Sequence, residues 1–95
     1  MLTIEDIKKV VAEIAPQYNL KKVTLFGSRA NGNAKENSDI DLIVEFETDA
    51  VSLLKLSALM IKLEETFGVK VDVIHGPLEA EDFLEVEKEI EIYAA

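Results

Sequence analysis

Asp39 and Asp41 stand one residue apart in "SDIDLIVEF", and Asp72 sits in the alternating run "VKVDVI". On a strand, alternate residues share a face and the chain rises ~3.3 Å per residue, which puts Asp39 and Asp41 roughly 7 Å apart on one side. A fold that lays "VKVDVI" alongside adds Asp72 to them. Carboxylates crowded in this way repel one another unless a cation compensates. Hard oxygen ligands suit Mg²⁺, or Mn²⁺, and two such ions about 4 Å apart bind the attacking and leaving oxygens of an in-line phosphoryl displacement.

A second feature lies upstream, where Gly27 and Ser28 follow the run "KKVTLF" and ten residues separate Ser28 from Asp39. Glycine lets the backbone turn sharply off a strand. Ser28 offers a hydroxyl and the start of a helical turn whose free N–H groups face an anion. Arg29 adds a charge-assisted contact to phosphate, and Gly32 lets the loop curl back toward the acids. Taken alone, Gly-Ser is common turn chemistry, and Asp-x-Asp occurs on many solvated strand faces. Their conjunction, with a third aspartate on another alternating strand, is what points to a cation-bound phosphate chain.

Elements that position these residues are readable from periodicity. Thr3 and Asp6 form a capping-box pattern, and Ile4, Ile7, Val11 and Ile14 recur at helical spacing, so a helix is predicted from residue 3 to about 17, ended by Pro16. "KKVTLFG" predicts a first strand from about 22 to 26. In "DIDLIVEF", Ile40, Leu42, Val44 and Phe46 share a buried face, while Asp39, Asp41 and Ile43 share the other. Asp49 is the expected cap of a helix over about 51–67, with Leu53, Leu56, Met60, Leu63 and Phe67 as its apolar stripe and Gly68 as its stop. Leu54 and Ile61 lie beside that stripe and widen it, as core or as a partner surface. A third strand covers "VKVDVI", and a last helix is expected over about 79–93, carrying Phe83, Val86, Ile90 and Tyr93. The order helix, strand, turn, strand, helix, strand, helix gives an α/β (α+β) class with a small mixed sheet.

Other titratable residues read as structural. His75 falls in a loop after the third strand, Glu45, Glu47 and Asp49 form solvated surface, and Tyr18 and Tyr93 pack.

Residues 1–95 are read as one domain with a single core. No apolar run approaches the ~18 residues a membrane helix needs, and charges interrupt the N-terminal stretch where a secretion signal would be apolar. The chain has no cysteine, which excludes disulfides and thiolate chemistry and fits a cytoplasmic protein. Nineteen acids against ten bases give a net charge of −9, so stable nucleic-acid binding is not expected. A short anion carried by a divalent cation, or a basic protein partner, is compatible with that field.

The stretch "GSRANGNAKENSDIDLIV" resembles the signature of nucleotidyltransferases of the DNA polymerase beta superfamily: Gly-Ser, ten residues, then Asp-x-Asp. With its small size, its initial helix and "VTLFGSRA", the chain is most similar to the minimal nucleotidyltransferases, over nearly its whole length. The resemblance implies a mixed three-stranded sheet flanked by helices. It places Gly27 and Ser28 at a triphosphate, with Arg29 beside them. It further implies that Asp39 and Asp41 hold two Mg²⁺ ions and that Asp72 binds the catalytic ion and helps activate the acceptor hydroxyl. ATP is then the donor: the hydroxyl attacks the α-phosphate, pyrophosphate leaves, and AMP is transferred. Relatives of this length are often antitoxins that silence a HEPN-domain ribonuclease by adding AMP to one of its tyrosines, which implies a HEPN toxin as partner and a hetero-oligomer with it. Asn31 departs from the pattern, since many relatives carry arginine there.

Two further readings stand beside this one. The chain can act as a binding antitoxin that masks its partner by contact while its nucleotide site is silent. It can instead transfer a nucleotide to a small molecule, although 95 residues leave little room for a substrate domain.

Overall fold

The computed structural model describes residues 2–48, 50–77 and 89–95. Its first helix, α1 (Ile4–Tyr18), starts at Thr3, whose hydroxyl accepts the Asp6 N–H at 3.0 Å while Asp6 Oδ2 accepts the Thr3 N–H at 2.9 Å. These reciprocal bonds satisfy two main-chain donors at the helix entrance. Pro16 does not end α1, which runs to Tyr18. In the last turn its fixed φ is helical, and the loss is confined to one N–H bond. Asn19, in the left-handed region at φ 55°, provides the stop.

The other elements among the described residues are β1 (Leu20–Phe26), α2 (Ser28–Asn31), β2 (Ile40–Phe46), α3 (Leu53–Phe67), β3 (Val71–His75) and β4 (Ile90–Ala94). They form one four-stranded sheet in the order β3-β2-β1-β4. β1 is antiparallel to both β2 and β4, and β2 and β3 are parallel, joined through α3. The mixed sheet with helices packed on it is therefore as the sequence suggests, with one more strand.

The extra strand comes from the expected last helix. Ile90 and Tyr93 have helical spacing, but Ile90 and Ile92 also alternate, and here the strand period prevails: residues 90–94 pair with β1 and bury Ile92. β-Branched and aromatic side chains suit that position, and pairing covers what would be an open edge of β1. The Phe83 and Val86 portion of the expected helix lies outside the described residues.

One face of the sheet carries the core. Ile40, Leu42, Val44 and Phe46 of β2 pack with Val23 and Leu25 of β1, Val71 of β3, Ile7, Val11 and Ile14 of α1, and Leu59, Leu63 and Phe67 of α3. α3 is capped by Ser52, whose hydroxyl accepts the Lys55 N–H at 3.1 Å, while Asp49, the expected cap, lies outside the described residues. Its stripe is shifted as well: Leu59 is buried, and Leu53 is 81% exposed. Leu54 and Ile61 are exposed too, so neither belongs to the core.

Candidate active site

β1, β2 and β3 deliver three predicted site residues to one end of the sheet. Phe26 is the register partner of Asp41 on the antiparallel side, and Asp72 is its partner on the parallel side. Gly27 follows Phe26, so the Gly-Ser bend, Asp41 and Asp72 lie side by side across three strands.

Gly27 turns the chain from β1 into the single turn of α2 with φ 76° and ψ −156°, a conformation that glycine alone adopts readily. A Cβ built there would overlap the Asp41 carboxylate. The Gly27 carbonyl accepts the N–H groups of Ala30 and Asn31 at 3.1 and 3.2 Å, which places Ser28 at the start of the turn. Asn31 is exposed, and its Oδ1 accepts the Asn33 N–H at 3.2 Å, a local turn contact.

Asp41 is half-buried, and its carboxyl is held above the usual carboxylate range. Burial is the main cause, followed by the charge of Asp72 and a side-chain contact with it, then by the charge of Asp39; Lys70 acts in the opposite sense. Asp39 is thus within electrostatic reach of the pair, on the loop just ahead of β2. Among the described residues, however, no three metal-ligating side chains are gathered into a ready set. The donor chemistry still fits a hard divalent cation, because all three side chains are carboxylates and two of them face each other with their repulsion only partly relieved.

Two residues with no place in the sequence motif help shape this end of the sheet. Lys70 Nζ lies 3.8 Å from Asp72 Oδ1, an exposed pair that contributes little stability but places a cation beside the acids. Glu64 Oε2 accepts the Val71 N–H at 3.1 Å and so fixes the start of β3 one residue before Asp72. Both left signals in the sequence. Lys70 shares alternation with Asp72, and Glu64 is an acid in the last turn of a helix, where the dipole disfavours it unless it has a partner.

Arg29, expected beside the phosphates, is held by main-chain carbonyls of the following loop. The side chain is buried, at 6% exposure, and donates from Nε to the Ser38 carbonyl at 3.2 Å and from Nη2 to the carbonyls of Ser38 and Glu36 at 2.8 and 3.2 Å. His75 is not in a loop. It ends β3 opposite Val44, at the end of the strand away from Asp72, with its ring edge-on to Phe46 at 5.5 Å. Glu45 lies within β2 and is half-buried.

The nucleotidyltransferase domain model matches residues 4–95. The chain is 37% identical over 78 residues to the protein adenylyltransferase MntA of Thermococcus cleftensis, covering 78% of each. A crystal structure of a toxin-antitoxin with AMP-PNP superposes with a TM-score of 0.76 at 20% identity, over 93% of this chain and 73% of that one. A structure of the tri-AMPylated Shewanella oneidensis HEPN toxin in complex with an MNT antitoxin gives 0.71 at 15% identity, over 98% and 74%. At those identities the two structures speak for the fold. The family match, the curated relative and the Asp41–Asp72–Gly27 geometry agree, and the chain belongs to the nucleotidyltransferase domain family.

Proposed function

We propose that this nucleotidyltransferase transfers AMP from ATP to a hydroxyl, a tyrosine, of a HEPN-type toxin, and so acts as that toxin's antitoxin. The observation that carries this reading is the register pairing of Asp41 with Asp72 beside Gly27. Support also comes from the relative named as a protein adenylyltransferase and from the solved complex of an AMPylated HEPN toxin with an MNT antitoxin.

Asp39, Asp41 and Asp72 would hold Mg²⁺, which when bound supplies charge neutralisation for the triphosphate. The Gly27–Ser28 bend receives the phosphates beside the Asp41 carboxylate, which occupies the space that a side chain at Gly27 would need. Asp72 orients the acceptor hydroxyl and takes up its proton. The hydroxyl oxygen forms its bond to the α-phosphorus as the bond to the pyrophosphate oxygen breaks. Positioning and electrostatics account for such a transfer without a covalent enzyme intermediate.

The test is to incubate the chain with its HEPN partner, ATP and Mg²⁺ and to weigh the partner by mass spectrometry. A gain of one or more AMP units is expected, and it should disappear with Asp39→Asn while the fold is retained. A partner silenced without any gain in mass would replace transfer by masking, the reading that the exposed apolar residues Leu53, Leu54 and Ile61 favour.

A further inference from the structure

We propose that Arg29 is a positioning residue: its buried guanidinium ties down the carbonyls of Glu36 and Ser38 and thereby fixes where Asp39 and Asp41 enter the site. The inference rests on the transfer reading above and gives Arg29 a different task from contacting phosphate.

Three observations support it. First, the contacts fall at the right place, because Ser38 immediately precedes Asp39 and its carbonyl accepts two of the three bonds, from Nε and Nη2. Second, among the described residues no other side chain hydrogen-bonds the segment from outside. Its own turn is closed by the Ser38 N–H on the Lys35 carbonyl at 3.1 Å and by the Lys35 N–H on Ser38 Oγ at 2.8 Å. Beyond it, the Ile40 N–H reaches the Lys70 carbonyl at 2.9 Å. Among the described residues, Arg29 is thus the side chain that joins the turn to the body of the protein.

Third, the placement is a costly one for a charge. Arg29 lines a small open pocket with Leu2, Ile4, Ile7, Gly32 and Ala34, and its Nη1 is buried with no hydrogen-bond partner among the described residues. An apolar side chain would fill such surroundings at lower cost. What arginine adds is a rigid fork able to grip two carbonyls at once, which the single ammonium of lysine does not reproduce.

The experiment compares the wild-type chain with Arg29→Lys and with Ser38→Ala, which weakens the same turn without touching the guanidinium. The Mg²⁺ concentration for half-maximal transfer and the ATP KM at saturating Mg²⁺ are measured for each. Manganese-induced thermal shifts without nucleotide and amide exchange by NMR are measured alongside. Positioning predicts a rise of ~10-fold or more in the half-maximal Mg²⁺ concentration for Arg29→Lys, with an unchanged ATP KM. It also predicts a weaker manganese shift and faster exchange at the Ser38 and Ile40 amides, with a smaller change of the same sign for Ser38→Ala.

A raised ATP KM at an unchanged Mg²⁺ requirement would overturn the proposal in favour of a phosphate contact. A lower melting temperature with neither the metal response nor the two amides altered would overturn it in favour of a purely structural role. If Arg29→Lys fails to fold, Ser38→Ala decides through the same metal and exchange measurements. A wild-type chain that neither responds to metal nor transfers AMP would instead refute the transfer reading, while the exchange rates still report whether Arg29 holds the segment.

Discussion

Gly27 abuts the carboxylate of Asp41 so closely that the space a β-carbon would need is already taken by that side chain. The bend after β1 and the acid on β2 are therefore one construction. Neither can move without disturbing the other.

Replacing Gly27 by alanine should consequently damage the site twice. The backbone conformation at φ 76° and ψ −156° resists any L side chain, at about 1–3 kcal/mol, and the new methyl displaces the Asp41 carboxylate from its place between Gly27 and Asp72. AMP transfer should fall by about 100-fold or more, as expected for a misplacement near 1 Å. Kinetics and a denaturation curve on the same sample check both parts. Wild-type turnover in Gly27→Ala would mean that Asp41 does not need its observed position.

Asp41→Asn should abolish transfer yet leave the metal-free protein at least as stable as wild type. The carboxylate is half-buried beside Asp72 and within reach of the Asp39 charge, so removing its own charge relieves their mutual repulsion. Thermal melts at neutral pH in a chelator provide the measurement. A marked drop in melting temperature would reveal a structural task for the charge.

Much of this arrangement could be read from the chain because the relevant signals are local. Alternation in "DIDLIVEF" separates Asp41 from the core face, and the glycine at the end of β1 marks the bend. Ile43 shows the limit of that reading. It shares the face of Asp41, yet it is buried, because Thr24 pairs with it across the strands and Gly76 packs on it. Ile90–Ala94 fits two periods, and only the free edge of β1 decides between them. The Arg29 contacts run to main-chain carbonyls, which leave no trace in residue types.

The shifted stripe of α3 has a direct consequence. Leu59→Ala should cost about 2–5 kcal/mol, since the side chain is fully enclosed, whereas Leu53→Ala at 81% exposure should stay within about 0.5 kcal/mol. Urea denaturation of the two variants tests this. Equal costs would mean that Leu53 is covered in solution.

The capping box gives a pH dependence. The Thr3 N–H and hydroxyl hold the Asp6 carboxyl below its usual value of 3.8, so its contribution to stability is present above that value and is lost as pH falls through the lower folded value. Asp6→Asn should therefore narrow its stability gap to wild type as the solution is acidified below pH 3.8. Thr3→Ala should cost about 1 kcal/mol at neutral pH. Melts at several pH values measure the gap, and a gap that widens on acidification contradicts the assignment.

Glu64 offers a way to disturb Asp72 without touching it. Its carboxylate accepts the N–H of Val71, a fully buried residue at the start of β3, and Asp72 follows immediately. Glu64→Ala leaves that donor without its acceptor, at about 1–3 kcal/mol, while Glu64→Gln keeps an oxygen in place and should cost less. If the bond also sets the strand beside β2, transfer should fall in Glu64→Ala and recover largely in Glu64→Gln. Denaturation and AMP transfer measured together distinguish the cases: equal loss in both variants would show that charge matters at Glu64, and no loss in either would show that β3 is held by its pairing with β2 alone.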